Sequence, residues 1–156
     1  MVDAHLGKLS RDLRMLGFDT LFAGKLRDNE IIDIAVRDKR IILTRDRDLL
    51  KSDKVDHGYY IRAVNSADQL QEVISKFDLA SQCKPFTRCL VCNGILNDVQ
   101  QEEIKDFVKP ELLLVFKDFY RCSDCCRIYW EGSHYNRMTE KINQLFISTK
   151  PDNPGT

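Results

Sequence analysis

Two cysteine pairs constrain this chain more than any other feature. Cys89-Leu90-Val91-Cys92 and Cys122-Ser123-Asp124-Cys125 share the C-x2-C spacing, with residues 93–121 between them. That spacing puts two thiolates on one tight turn, and two such turns complete a tetrahedral all-sulfur shell for Zn²⁺. A four-cysteine shell leaves no open position for a reacting molecule, so this zinc would be structural. The doubled spacing argues against four unrelated buried cysteines. Gly94, just after the first pair, suits the backbone turn. Cys126 makes the second knuckle read CSDCC and offers a second possible ligand. The x2 spacing of the first pair favours Cys125, which leaves Cys126 a bystander where a small, permissive residue belongs. Cys83 has no partner at ligand spacing and reads as a structural thiol.

In a small secreted protein the same six cysteines would be counted as disulfides. The N-terminal stretch MVDAHLGKLSRD has no apolar core followed by a small-residue cleavage site, so the reading is intracellular, in the cytoplasm. The longest aliphatic and aromatic run, Leu112 to Phe116, is far too short to span a bilayer, and no membrane partner is expected. With 43% hydrophobic and 31% charged residues, the composition is that of a folded domain. Formal net charge is zero, and it balances in each half: 14 Lys+Arg against 14 Asp+Glu in residues 1–82, and 10 against 10 in residues 83–156. This excludes a protein that coats nucleic acid by bulk attraction, but not a local basic stripe beside an acidic metal site.

Residues 1–82 alternate strand-like and helix-like segments. Leu6, Leu9, Leu13 and Leu16 recur at three- and four-residue steps and predict an amphipathic helix that Gly17 terminates. Asp19–Phe22 is a short strand candidate. Asp28 is a candidate N-cap for a helix with Ile31, Ile32, Ile34 and Ala35 on its apolar face. Ile41–Thr44 reads as a strand covered on both faces, Asp46–Lys51 as a short helix, and Tyr59–Ile61 as a further strand. Ser66 with Gln69 forms a capping-box pattern ahead of Leu70, Val73, Ile74 and Phe77. The order predicts an α/β parallel sheet flanked by helices. Ser81–Arg88 reads as a linker, followed by a cysteine-organised unit with helices around Glu102–Phe107 and from Pro110. The expected division is residues 1–82, residues 83–147 with a C-terminal helix, and a disordered tail over 148–156.

The first part holds twelve aspartates but only two glutamates. Aspartate suits caps, turns and metal ligation. Three acidic positions fall at the carboxyl ends of strands or at helix starts, where an open α/β sheet builds its sites. They are Asp3, the pair Asp28 and Glu30, and the pair Asp46 and Asp48. Converging carboxylates repel one another and stay ionised together only with divalent cations, and oxygen-only ligands favour Mg²⁺ or Mn²⁺. Such a site activates water for phosphodiester hydrolysis. Against this, Asp28 reads equally as an N-cap, and Asp48 as the surface partner of Arg45 or Arg47. Lys8, Arg11 and Arg14 form a basic stripe on the first helix, either a solvated face or a phosphate contact.

The stretches VDAHLGKLSRDLRMLGFDT, DNEIIDIA, RIILTRDRDLL, PFTRCLVCNG and FYRCSDCCRIYWEGSHYNRM, in that order over residues 2–138, resemble the Mut-seven C-terminal domain, a PIN-like ribonuclease domain fused to a zinc ribbon. The resemblance implies a PIN-type parallel sheet and Mg²⁺- or Mn²⁺-dependent cleavage of RNA. By motif position it implies Asp3, Asp28 or Glu30, and Asp46 with Asp48 as the acids, and Cys89, Cys92, Cys122 and Cys125 as the zinc ligands. Lys8, Arg11, Arg45 and His134 are the candidate RNA contacts; Trp130, Ser133, His134 and Tyr135 fall in the stretch after the ribbon where an aromatic and a histidine could contact RNA, and the alternative is that Tyr129 and Trp130 pack the small core of the ribbon. Two departures stand out. Cys126 occupies the place of a glycine. Only Met1 and Val2 precede Asp3, whereas a strand usually runs to about five residues, which predicts a weakly anchored Asp3. The competing expectation is a non-catalytic RNA- or partner-binding module whose acids are structural.

Overall fold

The computed structural model describes residues 1–147; the expected tail lies outside the described residues. The leucine repeat forms α1 (Gly7–Met15), entered through a 3-10 turn at Ala4–Leu6. Leu6, Leu9, Leu13 and Leu16 are all buried, as a 3.6-residue period requires. Then come α2 (Asp28–Arg37), β1 (Ile42–Thr44), β2 (Gly58–Tyr60) and α3 (Ser66–Lys76).

β1 and β2 pair in parallel, with Leu43 opposite Tyr59. Val2 bridges in parallel to both Leu43 and Phe22, so the chain start lies between two neighbours of the same direction. Its backbone bonds confirm the position: Val2 N donates to Leu21 O at 2.9 Å, Ala23 N to Val2 O at 2.9 Å, and Leu43 N to Met1 O at 2.8 Å. The sheet is covered on both faces. Val2 and Leu43 enter a core with the leucines of α1 and with Leu70, Val73 and Ile74 of α3. Met1 and Ile42 point the other way and pack with Ile31, Ile32 and Ala35 of α2. This alternation is the period of two that a doubly covered strand imposes.

Two caps differ by one residue from the sequence expectation. Arg27, not Asp28, precedes α2, and the Glu30 carboxylate accepts from Arg27 N at 2.8 Å. Asn65, not Ser66, caps α3, its side chain accepting from Asp68 N at 2.9 Å. In both cases a side-chain carbonyl or carboxylate oxygen takes up a free amide at the helix start, that of Arg27 before α2 and that of Asp68 within α3.

The cysteine-organised part contains an antiparallel sheet of β3 (Leu96–Val99), β4 (Phe119–Cys122) and β5 (Ile128–Trp130), in the order β3-β4-β5. Two short helices, α4 (Gln101–Ile104) and α5 (Pro110–Val115), fill the segment between the knuckles, and α6 (Ser133–Ile147) follows. Residues 81–88, read as a linker, are tied to the end of α1: Lys84 N donates to Leu16 O at 2.9 Å and Phe86 N to Met15 O at 3.0 Å. Leu90 and Ile142 join the α1–α3 core, so ribbon and α6 share it.

Gly17 is where these parts meet. It has φ of +90° and its N–H donates to Arg14 O at 2.9 Å, while Phe18 N reaches back to Leu13 O at 3.0 Å, closing α1 with a left-handed cap. A Cβ there would lie 2.1 Å from Lys84 O. Gly17→Ala is therefore expected to cost about 2–3 kcal/mol, from the left-handed backbone and the collision together, read as a lower urea midpoint at unchanged slope. Unchanged stability would show that residues 84–86 are not held against α1.

Candidate functional site

The metal centre is built by two equivalent turns. Among the described residues, the group of potential ligand side chains that converges is Cys89, Cys92, Cys122 and Cys125, whose sulfurs all lie within 4.8 Å of one another. Cys89 Sγ is 3.6 Å from Cys125 Sγ, and Cys92 Sγ is 3.3 Å from Cys122 Sγ. A tetrahedron with zinc–sulfur bonds of about 2.3 Å has edges close to these, so the four residues fit the ion. In the first turn Asn93 N donates to Cys89 O at 3.0 Å, and in the second Cys126 N donates to Cys122 O at 3.1 Å. Both residues are left-handed, at φ +76° and +57° respectively. This explains why a glycine suits the position of Cys126: the turn demands a backbone that side chains disfavour. Cys126 carries that conformation outside the cluster, as expected for a bystander. Gly94 leaves room for the metal, since a Cβ there would meet Cys122 Sγ at 2.8 Å and Asp124 at 2.7 Å.

Groups beyond the ligands tune this centre. Tyr129 OH lies 3.0 Å from Cys89 Sγ. Burial pushes the Cys89 thiol up, but the Tyr129 hydroxyl and the amides of Cys92 and Val91 outweigh it and bring the group down to about 6. Burial pushes the Cys92 thiol up to about 12. Tyr129 thus helps the ribbon as a hydroxyl donor rather than only as core packing. Trp130 does pack, its ring centroid 6.4 Å from both Phe116 and Phe119.

Arg14 lies behind the first knuckle. Expected on a basic stripe, it is instead buried. Its Nε donates to Thr20 O at 2.8 Å, and its Nη1 donates to Val91 O at 2.9 Å and Leu90 O at 3.3 Å. Burial lowers its affinity for the proton, and the nearby Cys89 and Cys92 sulfurs oppose that.

The acidic edge has a different character. Asp3 is only 5% exposed. Its Oδ1 accepts from His5 N at 2.9 Å, while its Oδ2 accepts from Thr44 Oγ1 and from Arg45 N at 3.1 Å. The short first strand therefore does not leave Asp3 loose, because the neighbouring strand end holds it. Thr44 Oγ1 accepts from Asp46 N at 2.8 Å, and Asp46 Oδ1 accepts from Asp48 N at 2.8 Å. A buried hydroxyl thus joins the two strand ends, a role the sequence reading missed and that a hydroxyl just before Arg-Asp signals.

The remaining candidates are more dispersed. The Asp48 side chain is 82% exposed and pairs with Lys51 at 2.6 Å. Glu30 bonds Arg27 through both its backbone and its side chain, and these bonds hold its carboxyl below the usual range. Asp28 is exposed on the first turn of α2. Arg45 directs Nη1 to Ala63 O at 2.9 Å and so steadies the loop after β2. Lys8 and Arg11 are exposed on α1, and His134 lies at the start of α6. The donors of the edge are all carboxylate oxygens, which suits Mg²⁺ or Mn²⁺ rather than zinc.

The chain thus joins a doubly covered parallel α/β sheet, with an acid buried at its carboxyl edge, to a cluster of four cysteines. The model of the Mut7-C RNAse domain matches residues 1–142, and the chain belongs to that family. Comparison with curated proteins and with solved structures yields no match.

The knuckle geometry yields a direct test. Protein folded with zinc should contain about one ion per chain by elemental analysis, and Cys92→Ser should lose most of it. Cys126→Gly should keep the ion and stabilise the fold by about 1 kcal/mol, by removing a left-handed side chain. Loss of zinc in Cys126→Gly would show that Cys126, not Cys125, is the fourth ligand.

Proposed function

We propose that the chain is a PIN-like ribonuclease that cleaves RNA phosphodiester bonds with Mg²⁺ or Mn²⁺, and that its ribbon helps to hold the strand. The single observation that carries this reading is the linkage of the Asp3 carboxylate, the Thr44 hydroxyl and the Asp46 backbone amide at the carboxyl edge of the parallel sheet, in a chain of an RNase family. Asp3 and Asp46, with Asp28 or Glu30 and with Asp48, would hold the ion. Bound there, it supplies a Lewis acid that lowers the pKa of water and neutralises phosphate charge. Thr44 fixes the Asp3 carboxylate toward the edge, and the amides of His5 and Arg45 keep it from rotating. For Asp48 and Glu30 to ligate, each must leave an exposed pairing, with Lys51 or Arg27, and such pairings are weak. Thiolates kept for zinc fit a reducing, cytoplasmic setting.

The same two pairings, and the capping of the Ala4–Leu6 turn by Asp3, favour a second reading in which the chain binds RNA or a partner without cutting it. Incubating end-labelled single-stranded RNA with zinc-loaded protein separates the two. Cleavage is expected with added Mn²⁺, to disappear when Mn²⁺ is omitted, and to fall about 100-fold in Asp46→Asn. Equal cleavage by that variant, or no cleavage by the folded wild type, overturns the ribonuclease reading.

A further inference from the structure

A cavity of about 670 Å³ opens between the ribbon, the start of α6 and the exposed side of α1. Its walls combine Tyr120, Trp130 and Tyr135 with Arg11, Arg127 and His134. Flat aromatic faces beside guanidinium groups that lack an acid partner are the combination that holds a single-stranded nucleotide, the rings stacking on a base and the guanidinium groups meeting phosphate. Neither Arg11 nor Arg127 makes an ion pair among the described residues, so both are available to a ligand. Arg88 also lines the cavity, but it donates to Gly17 O and Asn93 O and serves the fold. Asp98 and Glu131 stand on the walls too, which leaves the cations only a small excess and favours one strand over a duplex with its doubled phosphates.

The cavity is also connected to the acidic edge. His5, Lys8 and Arg11 are exposed at three-residue steps, so they follow one side of the Ala4–Leu6 turn and α1. His5 Nδ1 is 3.9 Å from Asp3 Oδ1 at one end of this line, and Arg11 is on the cavity wall at the other. At about 1.5 Å per residue, Lys8 and Arg11 lie roughly 4.5 Å apart along the axis, close enough to serve neighbouring phosphates.

We propose that the cavity between the ribbon, α6 and α1 is a nucleotide-holding cleft for single-stranded RNA, from which the backbone runs along Arg11, Lys8 and His5 to Asp3 and Asp46. The cleft takes from the ribonuclease reading only that the ligand is RNA. It makes unpaired RNA the substrate class, and it places the gripped nucleotide away from the bond to be cut.

Trp130 is the only tryptophan in the chain, so its fluorescence reports on the cleft directly. Zinc-loaded Asp46→Asn protein, with no Mg²⁺ or Mn²⁺ added, is titrated with an eight-nucleotide single strand and with a duplex of the same length. The expected result is quenching by the single strand and at least about tenfold weaker binding of the duplex. Arg11→Glu and Arg127→Glu, both on exposed positions and checked for full zinc content, should each weaken binding about tenfold and lower the salt slope by about one. Duplex binding as tight as single-strand binding, or unchanged affinity in both arginine variants, overturns the cleft. If wild-type protein then still cleaves RNA with Mn²⁺, only the cleft has failed. Quenching that depends on the arginines, with no cleavage by the wild type, supports the cleft and removes the nuclease reading alone.

Discussion

Everything in this molecule turns on one buried cation. Arg14 leaves α1 on the side away from solvent and donates to three carbonyls, one in the segment before α2 and two within the first cysteine turn. A guanidinium with no water around it is expensive unless its donors are matched and negative charge is near. Both conditions hold, because the carbonyls are in place and the sulfurs of Cys89 and Cys92 lie close enough to favour its charge. Four thiolates around one zinc leave that shell doubly negative, so helix and ribbon each supply what the other lacks. Truncating Arg14 would remove the donor from those carbonyls and a compensating positive charge from beside Cys89 and Cys92.

Other contacts reinforce the same junction. Asn93, in the turn beside Cys92, accepts from Thr20 N at 2.9 Å and donates to Asp19 at 2.8 Å. Asp19 in turn accepts a two-point contact from Arg40. On the far side, Lys141 of α6 reaches the buried Asp12 of α1 at 2.6 Å. The ribbon is thus fastened to α1 from both flanks, and the acidic edge and the cleft beside Arg11 keep a fixed relation. A strand lying across both needs that fixity, because a ribbon free to swing would offer its rings and its arginines at variable distances from Asp3.

Local patterns in the sequence revealed the parts but not the joints. The leucine spacing located α1, the doubled C-x2-C located the ligands, and the Ile41–Thr44 run located a doubly covered strand, because each signal lies within a few residues. Arg14 was misread because its surroundings in sequence are those of a surface helix. Its partners Leu90 and Val91 are more than seventy positions away, and only the folded chain brings them together. Residues 81–88 looked like a linker for the same reason, since the partners of Lys84 and Phe86 are carbonyls at the end of α1. Asp3 looked precarious by strand length alone, while its anchors are a hydroxyl and an amide on the neighbouring strand. The acids of α2 and of the loop after β1 were legible as candidates, but their basic partners were not: Asp48 pairs with Lys51 one turn on rather than with Arg45 or Arg47, and Glu30 with Arg27.

The two cysteine turns share one backbone path yet are secured unequally. The residue after the first pair, Asn93, is bonded to the opposite half of the molecule, whereas its counterpart Cys126 is exposed. The turn at Cys89 is moored by protein as well as by metal. The turn at Cys122 is held within its own sheet instead, Cys122 standing opposite Leu96 of β3 and Ser123 N donating to Ile95 O at 2.9 Å, with β4 and β5 continuing from it toward Trp130 and the start of α6. An ion held by all four sulfurs would therefore join a turn moored to the α/β part to a turn moored in the three-stranded sheet. Oxidants or chelators that reach the centre would cut the tie between these two anchorages, and with it the register of the sheet's aromatic wall against Arg11.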